Sequence, residues 1–269
     1  MKTKTSSSKW YTLPAFLILT PLISLAIPAF LSLPSEVVPL ILVFIPAIIA
    51  ILLTAITEAG KGVGLLLRKL TQWRIGLKWY FIALGLALVT RLAISLLAIL
   101  IGWTTTFSLY DWMPLQYVFI GIFTIIGAVM EELGWRGYAL PKLLARRSAL
   151  ASALIIGIPW GIVHIGLTFP GQMNAGTSWV STMLFLVGIS VILTWLFVET
   201  KHGIVAGIVF HAAQNFFVFL NGGMRVAGIY WESWLLTDVT LAIAVILIVL
   251  HGPRLQRGSV EVATMADTR

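Results

Sequence analysis

The fold of this chain is indicated by residues 115–138, LQYVFIGIFTIIGAVMEELGWRGY, an apolar run that ends in two adjacent carboxylates and an arginine. A charged side chain near the centre of a membrane helix costs about 2.5–3.5 kcal/mol on insertion scales, so it indicates a paired charge or a functional site. On a helix, Glu132 and Arg136 share one face and can pair. Glu131 is rotated by about 100° from Glu132. The pattern therefore predicts a structural Glu132–Arg136 pair and leaves Glu131 available for chemistry.

The composition indicates a membrane protein. Of 269 residues, 59% are hydrophobic and 10% are charged, whereas a soluble domain carries about 25% charged residues. The net charge is +8, but the cations lie between apolar runs, which is typical of a topology signal and not of nucleic-acid binding. The chain has no cysteine, which excludes disulfides, thiolate metal sites and a cysteine nucleophile.

Eight apolar runs are long enough to cross about 30 Å of hydrocarbon. The segments between them alternate between rich and poor in lysine and arginine, which predicts that both termini are cytoplasmic. We expect an all-α, polytopic bundle of about eight transmembrane helices in the cell membrane. The predicted spans are residues 13–33, 37–57, 79–102, 115–138, 149–167, 179–198, 203–220 and 234–250.

The remaining segments complete the predicted organisation. Residues 60–78 interleave leucines with arginines and lysines, which favours an amphipathic helix in the cytoplasmic interface or a basic loop. We expect a cytoplasmic tail at 1–12, one transmembrane domain at 13–251 and a second cytoplasmic tail at 252–269.

Further polar side chains interrupt the fifth and seventh spans. His164 lies in the fifth, and His211 and Asn215 share one helix face in the seventh, which continues through Gly207 and Gly203. Small residues at this spacing let another helix approach closely. Each polar group alone is more typical of packing than of catalysis, but their recurrence on three spans favours a shared site. Arg91 in the third span is a further charge, for which a structural role is favoured.

These residue types restrict the chemistry. The chain has no Gly-x-Ser-x-Gly and no His-Glu-x-x-His motif, so a serine hydrolase of that type and the usual zinc-protease helix are excluded. A carboxylate can act as general base on water, histidine can share the proton, and an amide can stabilise an oxyanion. Two histidines and a glutamate can also hold a divalent metal such as zinc.

Together, the three motifs resemble a known family. Glu131-Glu132-x-x-x-Arg136, Trp160-x-x-x-His164 and His211-x-x-x-Asn215 are similar to those of the CAAX-protease and bacteriocin-processing (CPBP, or Abi) family, which includes the type II CAAX prenyl endopeptidase. The resemblance covers about residues 115–221. Trp160 stands where phenylalanine is commoner.

The resemblance implies an intramembrane endopeptidase of about eight helices whose site opens to the cytoplasm. It implies that Glu131 and His164 activate water, that His211 and Asn215 stabilise the oxyanion, and that Glu132 and Arg136 support the site. Water activation without a cofactor is favoured, although zinc held by Glu131, His164 and His211 stays possible. The expected partners are a membrane-associated or lipid-modified substrate and membrane lipids, without nucleic acid.

Two other functions stay open at this point. One is a non-catalytic immunity or scaffold protein of the same fold, which would not need the full set of polar residues. The other is a proton-coupled transporter, although the sequence shows no duplicated halves.

One geometric difficulty also stays open. Straight helices would place His164 about 22 Å below the start of its span, but Glu131 only about 10 Å from the end of its own.

Overall fold

The apolar runs form α-helices because a helix satisfies its own backbone hydrogen bonds where no water can do so. In the computed structural model, which describes residues 11–102, 113–220 and 231–256, every regular element is helical. The predicted all-α bundle is confirmed. The α-helices are α1 (Thr12–Phe30), α2 (Val37–Leu42), α3 (Ile45–Leu67), α4 (Leu77–Leu100), α5 (Pro114–Glu132), α6 (Leu140–Leu144), α7 (Ala149–Ile165), α8 (Trp179–Glu199), α9 (Val205–Leu220) and α10 (Trp231–His251).

The number of spans agrees with the expected bundle. Within the described ranges, seven helical segments are long and apolar enough to cross a membrane. The remaining predicted run, the seventh at residues 203–220, forms the shorter helix α9. The second span is built from α2 and α3, and the fourth from α5, a π-helix and α6.

The fourth span differs from the prediction at its end. It does not stop at Tyr138 but continues as a π-helix at Leu133–Ala139 and then as α6 to Leu144. The wider turn of a π-helix is uncommon and occurs frequently at functional sites. Gly134 allows it to lie against α3, because a Cβ there would stand 2.6 Å from the carbonyl carbon of Pro46.

The predicted amphipathic helix at 60–78 is only partly helical. α3 bends at Ala59, which has a positive φ of 55°, and then continues to Leu67 and a 3-10 turn at Arg68–Thr71. Its Leu66 is buried whereas Leu65 is exposed, as expected for an amphipathic segment. Residues 72–76 are not helical, so the prediction is wrong there.

The connectors that the sequence assigns to one side of the membrane lie together at one end of the bundle. Lys69 Nζ donates a hydrogen bond to the Gly137 carbonyl at 2.5 Å, and Lys142 Nζ lies 3.9 Å from Glu58 Oε1. At the other end, Gly166 after α7 contacts Pro28 near the end of α1.

Close packing joins α7 to α8. A Cβ at Gly157 would stand 2.8 Å from Val187 Cα, and one at Gly161 would stand 3.2 Å from Met183 Cα. Another helix, α8, therefore lies close against α7 at these two glycines.

Candidate active site

Glu132 is the centre of a buried charge cluster with Arg136 and His211. Its Oε1 lies 3.2 Å from Arg136 Nη1 and 2.9 Å from His211 Nδ1. Glu132 is fully buried, and Arg136 and His211 are only 1% and 6% exposed. The predicted pair at four-residue spacing is confirmed, and the structure adds a histidine from α9.

Gly207 makes this cluster possible. It precedes His211 by one turn of α9, and a Cβ at Gly207 would stand 3.3 Å from Glu132 Oε2 and 3.3 Å from Leu193 Cδ2. The small residue predicted on this helix face therefore lets α9 lie directly against the Glu132 carboxylate.

Glu131 has different surroundings although it is the adjacent residue. It is 4% exposed, and its Oε2 accepts a short hydrogen bond from the indole Nε1–H of Trp160 on α7. The indole is a donor only, so the contact holds the carboxylate in place without supplying a countercharge.

Trp160 is the common neighbour of the polar groups. Its ring centroid lies 4.5 Å from the Arg136 guanidinium carbon, 5.4 Å from the His211 ring centroid and 6.0 Å from that of His164. A guanidinium over an indole face is an attractive cation–π contact. Trp160 therefore joins the Glu131 side of the site to the Glu132 cluster.

His164 has a defined tautomer when it is neutral. Its Nδ1 lies 3.0 Å from the Trp160 carbonyl oxygen, and because a carbonyl only accepts, Nδ1 carries the hydrogen. Nε2 is then the acceptor nitrogen of the neutral ring. His164 is partly exposed, which suits a group that exchanges protons with water.

His211 is oriented in a similar way by a carboxylate. Nδ1–H donates to Glu132, so Nε2 is an acceptor in the neutral ring and a donor in the imidazolium. Asn215 follows four residues later on α9 and is half-buried. The structure thus places Asn215 by its helix position, one turn from His211.

The continued fourth span also reduces the depth difficulty. The sequence predicts that this span ends at residue 138, but the helix extends to Leu144. At about 1.5 Å per residue, Glu131 therefore lies roughly 9 Å farther from the end of its span than predicted. That depth brings Glu131 level with Trp160, one turn before His164 on α7.

Sequence reasoning missed two of these contacts. The Trp160–Glu131 hydrogen bond could have been suspected from the sequence, because a tryptophan in the second motif offers an N–H that a phenylalanine lacks. Apart from Gly203 and Gly207, nothing in the sequence indicated the His211–Glu132 contact, because it joins residues 79 positions apart. Arg91 is buried in α4, while the described partners of the Glu132 carboxylate are Arg136 and His211.

The Arg136 cation is the feature of the site that disfavours a metal. Across the described ranges, no three histidine or acidic side chains are grouped as ligands. The contact of Glu132 with Nδ1 of His211 is compatible with a metal at Nε2, but the Arg136 cation lies over the Trp160 ring. A nearby cation disfavours a divalent ion.

Comparison with known proteins agrees with the three motifs. Residues 111–217 match the family model "Type II CAAX prenyl endopeptidase Rce1-like". The chain is 29% identical over 112 residues to "CAAX prenyl protease 2" of Methanococcus maripaludis, an alignment that covers 39% of this chain and 40% of that protein. The apolar helices and this match indicate a multi-pass membrane protein. The predicted resemblance to the CAAX-protease family is confirmed for the segment that carries the site.

Proposed function

We propose that this chain is an intramembrane endopeptidase that hydrolyses a peptide bond in a membrane-associated or lipid-modified substrate. One observation carries the proposal: two adjacent buried acids differ in their partners. Glu132 is paired with Arg136 and His211, whereas Glu131 accepts from a neutral indole. A carboxylate that is not held in the Arg136–Glu132 ion pair, next to two oriented imidazoles, is suited to general-base catalysis.

In the proposed first step, a water molecule lies between Glu131 and Nε2 of His164. One of these groups takes a proton from the water as its oxygen attacks the carbonyl carbon of the scissile bond. The carbonyl π electrons move to oxygen and give a tetrahedral oxyanion. The fixed tautomer of His164 supports this role, because its acceptor nitrogen faces away from the helix carbonyl.

In the proposed second step, the oxyanion accepts hydrogen bonds from the Asn215 amide and from Nε2–H of protonated His211. Glu132 stabilises that imidazolium through Nδ1, which is how a carboxylate supports a catalytic histidine in other hydrolases. The C–N bond then breaks, and the leaving amine takes the proton that Glu131 or His164 received. Atoms and charge balance without a further reactant.

The proposed substrate follows from the name of the relative. "CAAX prenyl protease 2" describes a protease for prenylated proteins, and we propose that a prenylated carboxyl-terminal peptide is also the substrate here. The apolar environment of the site suits a substrate whose lipid is already in the membrane.

The test is cleavage of a farnesylated CAAX peptide by the full chain reconstituted in liposomes, with the same peptide lacking the lipid as comparison. We expect release of the terminal tripeptide from the lipidated peptide. Glu131→Gln should lower the rate by about 10²–10⁴-fold, the usual contribution of a general base. Absence of cleavage of both peptides would contradict the proposal and favour the scaffold or transporter function.

We further propose that water is activated without a metal. The support is the Arg136 cation, whose guanidinium carbon lies 4.5 Å from the Trp160 ring centroid beside Glu131, because a nearby cation disfavours a divalent ion. Activity is therefore expected to survive exhaustive chelation. Stoichiometric zinc in active protein, with activity lost on chelation and recovered on its return, would show that Glu131, His164 and His211 are ligands.

We propose a cell-membrane location with both termini in the cytoplasm. The support is the clustering of the basic connectors at one end of the bundle. Reporter fusions after Ser148 should indicate the cytoplasm, and fusions after Gly171 the opposite side. A cytoplasmic result at Gly171 would contradict the eight-span topology.

A further inference from the structure

The π-helix that carries Arg136 receives a hydrogen bond from a lysine outside its own span. Lys69, in the 3-10 turn after α3, donates from Nζ to the Gly137 carbonyl at 2.5 Å. The two residues are 68 positions apart in the chain, so the contact is a tertiary one. It joins the end of the second span to the segment that supplies part of the candidate active site.

The Gly137 carbonyl lacks its α-helical donor because of the proline that follows it. In an α-helix this carbonyl would accept from the amide of residue 141, and that residue is a proline, which has no N–H. The ring of a proline also clashes with the carbonyl four residues earlier. The wider turn at Leu133–Ala139 precedes Pro141, and Lys69 supplies a donor from outside the helix.

Packing beside Gly137 fixes the direction from which Lys69 approaches. A Cβ at Gly137 would stand 3.4 Å from Leu133 Cδ1 and 3.5 Å from Leu66 Cδ1. Leu66 is 6% exposed and precedes Lys69 by three residues, which is about one helical turn. An apolar and a polar side chain of the same segment therefore both contact Gly137.

The backbone that Lys69 holds leads directly to the charge cluster. Arg136 is the residue before Gly137, and it contacts Glu132 through Nη1 at 3.2 Å and the Trp160 ring at 4.5 Å. Its Nε and Nη2 have no hydrogen-bond partner among the described residues. The position of the guanidinium therefore depends on one hydrogen bond, on the ring contact and on the backbone of the π-helix.

We propose that Lys69 is a positioning residue of the site. Its ammonium takes the place of the amide that residue 141 lacks, and it holds the π-helix in the conformation that presents Arg136 to Glu132 and Trp160. Lys69 acts through Arg136 and does not contact the reacting atoms. Its effect on the cleavage rate rests on the proposed function, whereas its effect on the π-helix does not.

The first measurement is amide hydrogen exchange of residues 133–144 in the full chain in detergent. Lys69→Met removes the donor and keeps a long side chain, so exchange there should become about 10- to 100-fold faster, the usual effect of losing a hydrogen bond from a charged group. Lys69→Arg keeps a cationic donor and should stay within about three-fold of wild type. Lys61→Met removes an exposed lysine of the same segment and should change nothing.

Residues 179–199, which form α8, are the internal reference for this measurement. Their exchange should be the same in Lys69→Met and in the wild type, because the lost contact is local. Unchanged exchange of residues 133–144 in Lys69→Met would overturn the proposal. Equal acceleration in α8, or in the Lys61→Met variant, would also overturn it, because the effect would then be a general loss of stability.

The second measurement is cleavage of the farnesylated peptide. Lys69→Met should lower kcat by roughly 10- to 100-fold with KM little changed, because a displaced catalytic geometry lowers the rate more than the binding. Lys69→Arg should restore most of that loss. Faster exchange with wild-type kcat would overturn the positioning role. If the wild-type chain cleaved neither peptide, the proposed function would fail, and the exchange of residues 133–144 would still decide whether Lys69 holds the π-helix.

Discussion

Two adjacent carboxylates, Glu131 and Glu132, lie in two differently built regions. Glu132 belongs to the charge cluster with Arg136 and His211, in which two groups contact a single oxygen. Glu131 belongs to the indole pair with Trp160, in which one neutral donor contacts one oxygen. Both acids are buried, so the difference between them is one of partners and not of depth.

This difference shows how two adjacent residues of one helix, about 100° apart around its axis, can have a structural role and a chemical role. A buried charge is tolerated when opposite charge and hydrogen bonds offset its desolvation. The charge cluster meets that condition through its opposite charges, although Glu132 Oε2 and Arg136 Nε and Nη2 have no hydrogen-bond partner among the described residues, and we expect it to be costly to disturb. The indole pair meets it only in part, and we expect it to influence rate more than stability.

The largest effect is expected in the charge cluster. Glu132→Ala or Arg136→Ala leaves an uncompensated buried charge and should lower the free energy of unfolding by about 3–5 kcal/mol. The double variant Glu132→Gln/Arg136→Gln should cost less than the sum of the single variants, because no charge is left unpaired. Folded yield and denaturation in detergent measure both effects.

The control for that prediction is Glu36→Ala. Glu36 is exposed and lies outside the helices, so its loss should change stability by less than about 0.5 kcal/mol. If Glu132→Ala were as mild as this control, the charge cluster would not support the fold.

A smaller effect is expected when the indole pair is broken. Trp160→Phe keeps a ring beside Arg136 but removes the hydrogen bond to Glu131. A hydrogen bond to a charged group contributes about 1.5–3 kcal/mol, so kcat should fall about 10- to 100-fold, with KM little changed. Cleavage kinetics on the lipidated peptide measure this.

The matched control is Trp195→Phe. Trp195 also packs against an aromatic ring, that of Trp79 at 5.8 Å, but its Nε1 has no partner among the described residues. Its replacement should leave kcat unchanged. Equal losses in the two variants would mean that the tryptophan ring, and not its N–H, is what matters.

The smallest effect is expected at the contact between α9 and the charge cluster. Gly207→Ala places a methyl group 3.3 Å from Glu132 Oε2, and such overpacking costs about 1–3 kcal/mol. Gly85→Ala on α4 meets nothing within 4 Å and should be neutral or stabilise by up to about 1 kcal/mol. Thermal denaturation of both variants checks the difference, and equal midpoints would contradict close packing at Gly207.

Local rules explain what could be predicted from the sequence. The Glu132–Arg136 pair followed from helix spacing, and the spans followed from hydropathy, because both depend on neighbours in the chain. Gly207 on α9 indicated close packing correctly, although the sequence did not identify the groups that pack there.

The rest depends on distant contacts. The π-helix at Leu133–Ala139 extends the fourth span beyond residue 138, and no periodicity of the sequence distinguishes it from an α-helix. The bond from His211 to Glu132 depends on how α9 meets α5. The catalytic roles of Glu131, His164, His211 and Asn215 stay predictions, since their geometry supports them without testing them.

The most direct test compares Glu131→Gln with Glu132→Gln in the same preparations, by measuring both the rate of peptide cleavage and the midpoint of thermal unfolding. Glu131→Gln should unfold at the wild-type midpoint and cleave about 10²–10⁴-fold more slowly. Glu132→Gln should unfold at a clearly lower midpoint, because Arg136 loses its countercharge. Wild-type cleavage by Glu131→Gln would contradict the assignment of the base.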